Sequence, residues 1–180
     1  LAISNEPLPT PAPAIVEPQP VEMRELVLYF ASPDGLLLAP ESRQVRYSGH
    51  TVDTCRAIVE ALVEGPRELL TPILPPSTQV YAVYLLDDGE LVVDFSIELV
   101  SRQKRSASAE ALMAYGLANT LTQSGVAGAE GGPVRSVRIL VEGASPEQSF
   151  PGQGHLDLSR PIAPDPLWLL PPEPPVSSHG

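Results

Sequence analysis

Apolar and polar positions alternate along this chain in two periods, near 2 and near 3.6, and the switches between them mark its elements. Residues 25–30 (ELVLYF) are a mostly apolar, β-favouring run that predicts a buried strand. Ser32, Pro33, Asp34 and Gly35 follow as a turn signal. A short extended piece starts over 36–38, and residues 40–47 alternate toward their end as a half-exposed strand does. The period then lengthens. Val52, Cys55, Ile58, Val59, Leu62 and Val63 recur at helical spacing and predict a helix over 51–64. Thr51 is read as its cap, and Asp53 lies in the first turn, where the dipole favours a negative charge. Gly65 supplies a left-handed stop and Pro66 forbids continuation.

Residues 68–77 hold three prolines and read as an ordered loop or a short helical turn followed by a linker. Period two returns in 79–86 (QVYAVYLL) and 90–95 (ELVVDF), joined by Asp87, Asp88 and Gly89, a strong hairpin signal because glycine tolerates the positive φ of the turn. Asp94 interrupts the second of these strands and is read as facing outward or capping a neighbouring loop. Ser106 and Ser108 precede a helix to about Thr122, with Ala107, Ala111, Ala114, Leu117, Ala118 and Leu121 in one stripe of mostly small residues. A glycine-rich loop closed by Pro133 leads to a last strand through Val137, Ile139 and Val141, ending at Glu142-Gly143, and residues 154–162 offer a further short extended segment.

Strand, strand, helix, hairpin, helix, strand is an α+β order: a mixed β-sheet with two packed helices. Of 22 prolines, six fall within Pro7 to Pro20 and seven within Pro161 to Pro175, so the flanks are linker-like. The expected organisation is a Pro-rich linker over 1–23, one folded domain over 24–165 and a Pro-rich tail over 166–180. Trp168-Leu169-Leu170, between prolines, suits a partner-docking peptide or a segment that folds back on its own domain.

A net charge of −11 argues against nucleic acid and anionic lipid as partners, since both demand clustered cations. The one short basic cluster, Arg102, Lys104 and Arg105, has no interleaved aromatics and reads as a solvated loop. No apolar run approaches the ~20 residues that span a bilayer. The Pro-rich lead is the extended spacer expected after a removed signal peptide or N-terminal lipid anchor.

Candidate chemistry is sparse. Cys55, the only cysteine, lies on the apolar face of its helix and reads as a buried, inert thiol. His50, His155 and His179 have no second ligand at metal spacing, and no dinucleotide fingerprint, phosphate loop or serine elbow is present. His155 with Asp157 is the one close imidazole and acid pair, in a glycine-rich segment that favours local turn bonds over a base and its orienter. No catalytic, cofactor-binding or metal residue is therefore assigned, and no cofactor is expected.

Several short words remain. Tyr29-Phe30 closes the first strand, Leu36 to Leu38 and Arg43 and Arg46 follow, and the first helix ends in Leu62-Val63-Glu64-Gly65-Pro66. Leu74-Pro75, Thr78 and Val80, then Asp94-Phe95-Ser96, Asn119-Thr120-Leu121-Thr122 and Val141-Glu142-Gly143 complete the series. In this order they resemble the GerMN domain, a sporulation and spore germination family found in many bacterial envelope proteins, over about residues 24 to 165. The resemblance implies a fold similar to the ring-building motif and an extracytoplasmic, often membrane-anchored protein without enzymatic activity. Its partners would be other envelope proteins or further copies of itself. An envelope hydrolase or a protein that binds or modifies peptidoglycan is the alternative.

Overall fold

The computed structural model describes residues 21–103, 106–149 and 155–172, so most of both Pro-rich flanks lies outside the described residues. The elements run β1 (Glu22–Ala31), β2 (Leu38–Tyr47), α1 (Thr51–Glu64), β3 (Val80–Leu85), β4 (Glu90–Phe95), α2 (Glu98–Ser101), α3 (Ala107–Leu121), β5 (Ser136–Val141) and α4 (Pro146–Ser149). The class is α+β, as expected, and the strands divide into two sheets. β1 and β2 pair antiparallel, while β4 lies between an antiparallel β3 and a parallel β5.

The division follows from how β1 ends its hydrogen bonding. On its outer edge, Val27 N–H donates to Gln123 Oε1 at 3.1 Å and Gln123 Nε2 donates back to the Val27 carbonyl at 2.8 Å. Tyr29 N–H donates to Thr120 Oγ1 at 3.1 Å, and Ala31 exchanges two backbone bonds with Thr71. Side chains at the end of α3 thus satisfy backbone groups that another strand would otherwise take.

β2 is one continuous strand from Leu38, where the sequence pattern separates a piece over 36–38 from a later strand. Ladder bonds alternate between the two edges of an antiparallel strand. Leu38 aims its carbonyl outward, to Leu170 N–H at 2.8 Å, so the missing N–H of Pro40, two residues on, also falls on the outer edge. No β1–β2 bond is lost there.

α1 buries Thr51, Thr54, Cys55, Ile58, Val59 and Leu62 on one face, and ends at Gly65 with φ 89°. Thr51 is not its cap: His50 holds that position, without a side-chain cap bond. The Thr51 hydroxyl, fully buried, is taken by the glycine-rich loop, donating to the Gly132 carbonyl at 2.9 Å and accepting from Gly128 N–H at 2.9 Å. Gly128 must be glycine, because a Cβ there would stand 2.0 Å from the Gly49 carbonyl oxygen. α3 is capped by Ser106, whose hydroxyl accepts from Ala109 N–H at 3.1 Å. It is buried nearly all round rather than on one stripe, since its small residues admit β1, β5 and α1 together. Phe30, Phe95, Ile58, Leu62, Leu91 and Leu117 anchor one shared core.

A buried ion pair fastens β2 to the end of α1. Glu41 and Arg43 are each 3% exposed. Glu41 Oε1 accepts from two Arg43 nitrogens and Oε2 accepts from the backbone N–H groups of Arg67 and Glu68, both at 2.9 Å. Arg43 also donates to the Gly65 carbonyl at 3.1 Å. Burial by itself would raise the Glu41 pKa; the Arg43 guanidinium and the two N–H donors outweigh it and hold the carboxyl below its ordinary 4.5. The stabilisation linked to a depressed carboxyl is complete above the unfolded value, near 4.5, and is lost as pH falls through the folded one. Glu41→Gln leaves Arg43 buried without its counter-charge and should cost about 3 kcal/mol at neutral pH. Urea midpoints measured against pH should show the gap from wild type narrowing below that range; a gap independent of pH would refute the ionised pair.

Candidate functional site

A groove of about 870 Å³ lies between the loop after α1 and the starts of α2 and α3. Its apolar floor is Ile73, Leu74 and Leu112, all nearly buried, and Pro72, Pro75 and Pro76 form one wall. Glu98, Arg102 and Ser108 stand on the opposite rim.

Each wall is fixed by hydrogen bonds. Glu41 grips Arg67 and Glu68, Thr71 pairs with Ala31, and Thr78 N–H turns back to the Pro75 carbonyl at 3.0 Å. Ser96 then closes the mouth of the β3–β4 hairpin: its N–H donates to the Gln79 carbonyl at 3.0 Å and its hydroxyl accepts from Gln79 N–H at 2.9 Å. On the far side, Gln103 Nε2 donates to the Ala109 carbonyl at 3.3 Å. The Glu98 carboxyl is held below its usual range by its bonds to the Ser96 hydroxyl and its own N–H, with Arg102 adding to the effect. A rigid apolar floor with, among the described residues, the anion Glu98 and the cation Arg102 at the rim is suited to seat an apolar side chain of a peptide and orient its flanking polar groups.

The residues singled out in the sequence take structural places. Asp94 caps a neighbouring loop, accepting from Gly143 N–H at 2.9 Å. Asp157 accepts from the N–H and hydroxyl of Ser159, which hold it below the ordinary carboxyl range, while His155 turns to Glu110, with its Nδ1 3.6 Å from that carboxylate. The two are not brought together as base and orienter. His50 Nδ1 lies 3.0 Å from Glu130 on the surface, and His179 lies outside the described residues. Arg102 is exposed at the groove rim; Lys104 and Arg105 lie outside the described residues. Among the described residues, no group of three or more His, Cys, Asp or Glu is placed to hold a metal ion, and no helix is long and apolar enough to cross a membrane.

The groove was not read from the sequence. It joins three separate segments, of which only the run Pro72-Ile73-Leu74-Pro75-Pro76 signals a rigid apolar surface. Of the two roles open to Trp168-Leu169-Leu170, the chain takes the fold-back: Trp168 stacks on Tyr115 with ring centres 5.0 Å apart and planes at 13°.

Residues 27–147 match the family model described as Germane, sporulation and spore germination. Among curated proteins no match is found. Several solved structures share the fold, among them the following three. A candidate lipoprotein from Clostridium perfringens is 23% identical with a TM-score of 0.52, over 78% of this chain and 87% of that one. The tandem GerMN domains of the sporulation protein GerM from Bacillus subtilis are 20% identical with a TM-score of 0.56, over 80% of this chain and 46% of that one, so the chain spans about half of the tandem. The first GerMN domain of the same protein is 21% identical with a TM-score of 0.51, over 80% and 96%.

Cys55 completes the survey of reactive groups. It is fully buried, and burial pushes its thiol up to about 12. A thiol-specific disulfide reagent at neutral pH should leave the native chain unmodified and titrate one thiol per chain in denaturant. Rapid reaction of the native protein would place the thiol at the surface instead.

Proposed function

The chain belongs to the Germane family of sporulation and spore germination, and from that membership we propose that it is a non-enzymatic protein-interaction domain that assembles at the bacterial cell envelope. The groove carries the reading. Its floor is apolar, its walls are fastened from three sides, and its rim carries Glu98 and Arg102 among the described residues. Such a lining binds a peptide segment through burial and shape.

Supporting observations come from the fold and the comparisons. A fold of the ring-building kind, which the family resemblance implies, would favour association with a relative or a second copy. An envelope location draws on the similarity to the candidate lipoprotein, and a Pro-rich lead would hold the domain away from an anchor. A domain tethered on a surface needs only weak contacts, because local concentration supplies the avidity.

The test is assembly itself. Sedimentation of the domain from micromolar to millimolar concentration, alone and with isolated envelope proteins, should show weak, concentration-dependent complexes. Ala109→Trp, which fills the groove from the first turn of α3, should abolish them while shifting the thermal midpoint by no more than a few degrees. A strict monomer that binds no envelope protein, or hydrolysis of peptidoglycan by the purified domain, would overturn the reading.

A further inference from the structure

Away from the groove, the chain lays its own segment over α3 and the outer edge of β2. Ile162 is bonded on both sides to Val137, closing the outer edge of β5. The chain then crosses exposed Ala163 and Pro164 and lays residues 165–170 over Tyr115, Asn119 and Leu38.

This segment has the form of a preorganised ligand. Asp165 accepts from Leu167 N–H through its side chain at 2.9 Å and from Trp168 N–H through its carbonyl at 3.3 Å, and Leu169 N–H returns to Pro166 at 3.0 Å. A turn held by its own bonds loses little entropy on docking. Its polar contacts with the domain are few and directional. Asn119 Nδ2 donates to the Asp165 carbonyl at 3.2 Å, and Leu170 N–H donates to the Leu38 carbonyl at 2.8 Å as a parallel strand addition, with the Trp168–Tyr115 stack between them. Pairing stops there, because neither Pro40 nor Pro171 and Pro172 has an N–H to extend it. Leu167 stays 84% exposed.

We propose that this shelf is a recognition site for an extended, tryptophan-anchored peptide, and that its ligand in trans is the same segment of a second copy of the chain. Exchange restores every contact on both copies, and a short, proline-containing hinge at Ala163-Pro164 favours it. The site shares no lining residue with the groove and stands independently of it.

A synthetic peptide of residues 163–172, with 5-fluorotryptophan at the Trp168 position, is titrated into the full chain and followed by fluorine NMR. A shifted, saturable bound resonance is expected. Leu170→Pro in the chain removes the cis bond to Leu38 and should tighten peptide binding severalfold, which loss of a merely structural contact would not do. Tyr115→Ala should weaken binding about tenfold, the loss of roughly 1.4 kcal/mol, and Ala109→Trp should leave it unchanged. No bound resonance at millimolar peptide in either the wild-type or the Leu170→Pro chain would overturn the site. Peptide binding by a wild-type chain that itself stays monomeric up to millimolar concentration would overturn the second copy as its ligand.

Discussion

Much of the molecule hangs on one carboxylate that the solvent hardly reaches. Glu41 sits in β2, and its four hydrogen bonds tie that strand to the loop beyond α1: two come from the guanidinium of Arg43, and one each from the N–H groups of Arg67 and Glu68. The chain leaves α1 through Gly65-Pro66, where no helix or strand ladder can satisfy its backbone, and each orphaned buried group would cost about 1–3 kcal/mol. One side chain meets that need and aligns the loop beyond the helix. Thr71 then reaches Ala31, and the proline wall of the groove stands where it does.

The edges show a related economy, each closed by a different means. Side chains of α3 close β1, a short return through Ile162 closes β5, and the C-terminal strap with Pro40 blunts β2. On β3, the outermost strand of the second sheet, Arg56 donates to the Val80 carbonyl at 3.2 Å, and a bulge interrupts the register between Val80 and Ala82. Edges treated in these ways resist indiscriminate pairing and leave association to shaped sites.

Legibility in the sequence tracked the range of the interactions. The hairpin at Gly89 and the stop at Gly65 depend on neighbours within a few residues, and each could be read directly. The short words proved to be residues that solve backbone problems. Gly65 offers its carbonyl to Arg43, Thr120 closes β1, and Glu142 takes φ 53° so that its carboxylate receives Ile97 N–H at 2.9 Å. Glu41 and Arg43 were opaque because, in the polar run Glu41-Ser42-Arg43-Gln44, a charged residue looks solvent-facing until its distant partners are known. The split into two sheets was hidden for the same reason, since a glutamine near the end of a helix gives no sign that it pairs with a strand almost a hundred residues away. Thr51 misled by a single position, the ordinary uncertainty of a helix start.

The bonds between Gln123 and Val27, 96 residues apart, also bear on the order of events as the chain folds. β1 and β2 emerge first and can meet through a short turn, but the outer edge of β1 stays open until α3 has formed and docked. Contacts so distant in sequence demand a costly loop closure before they return anything, which slows folding. A chain shortened before residue 120 would keep β1 as a bare edge of alternating apolar residues, a template for pairing with other chains. The hairpin of β1 and β2 is thus among the last parts of the described fold to be finished, and its completion is timed by the arrival of residue 123 rather than of residue 47.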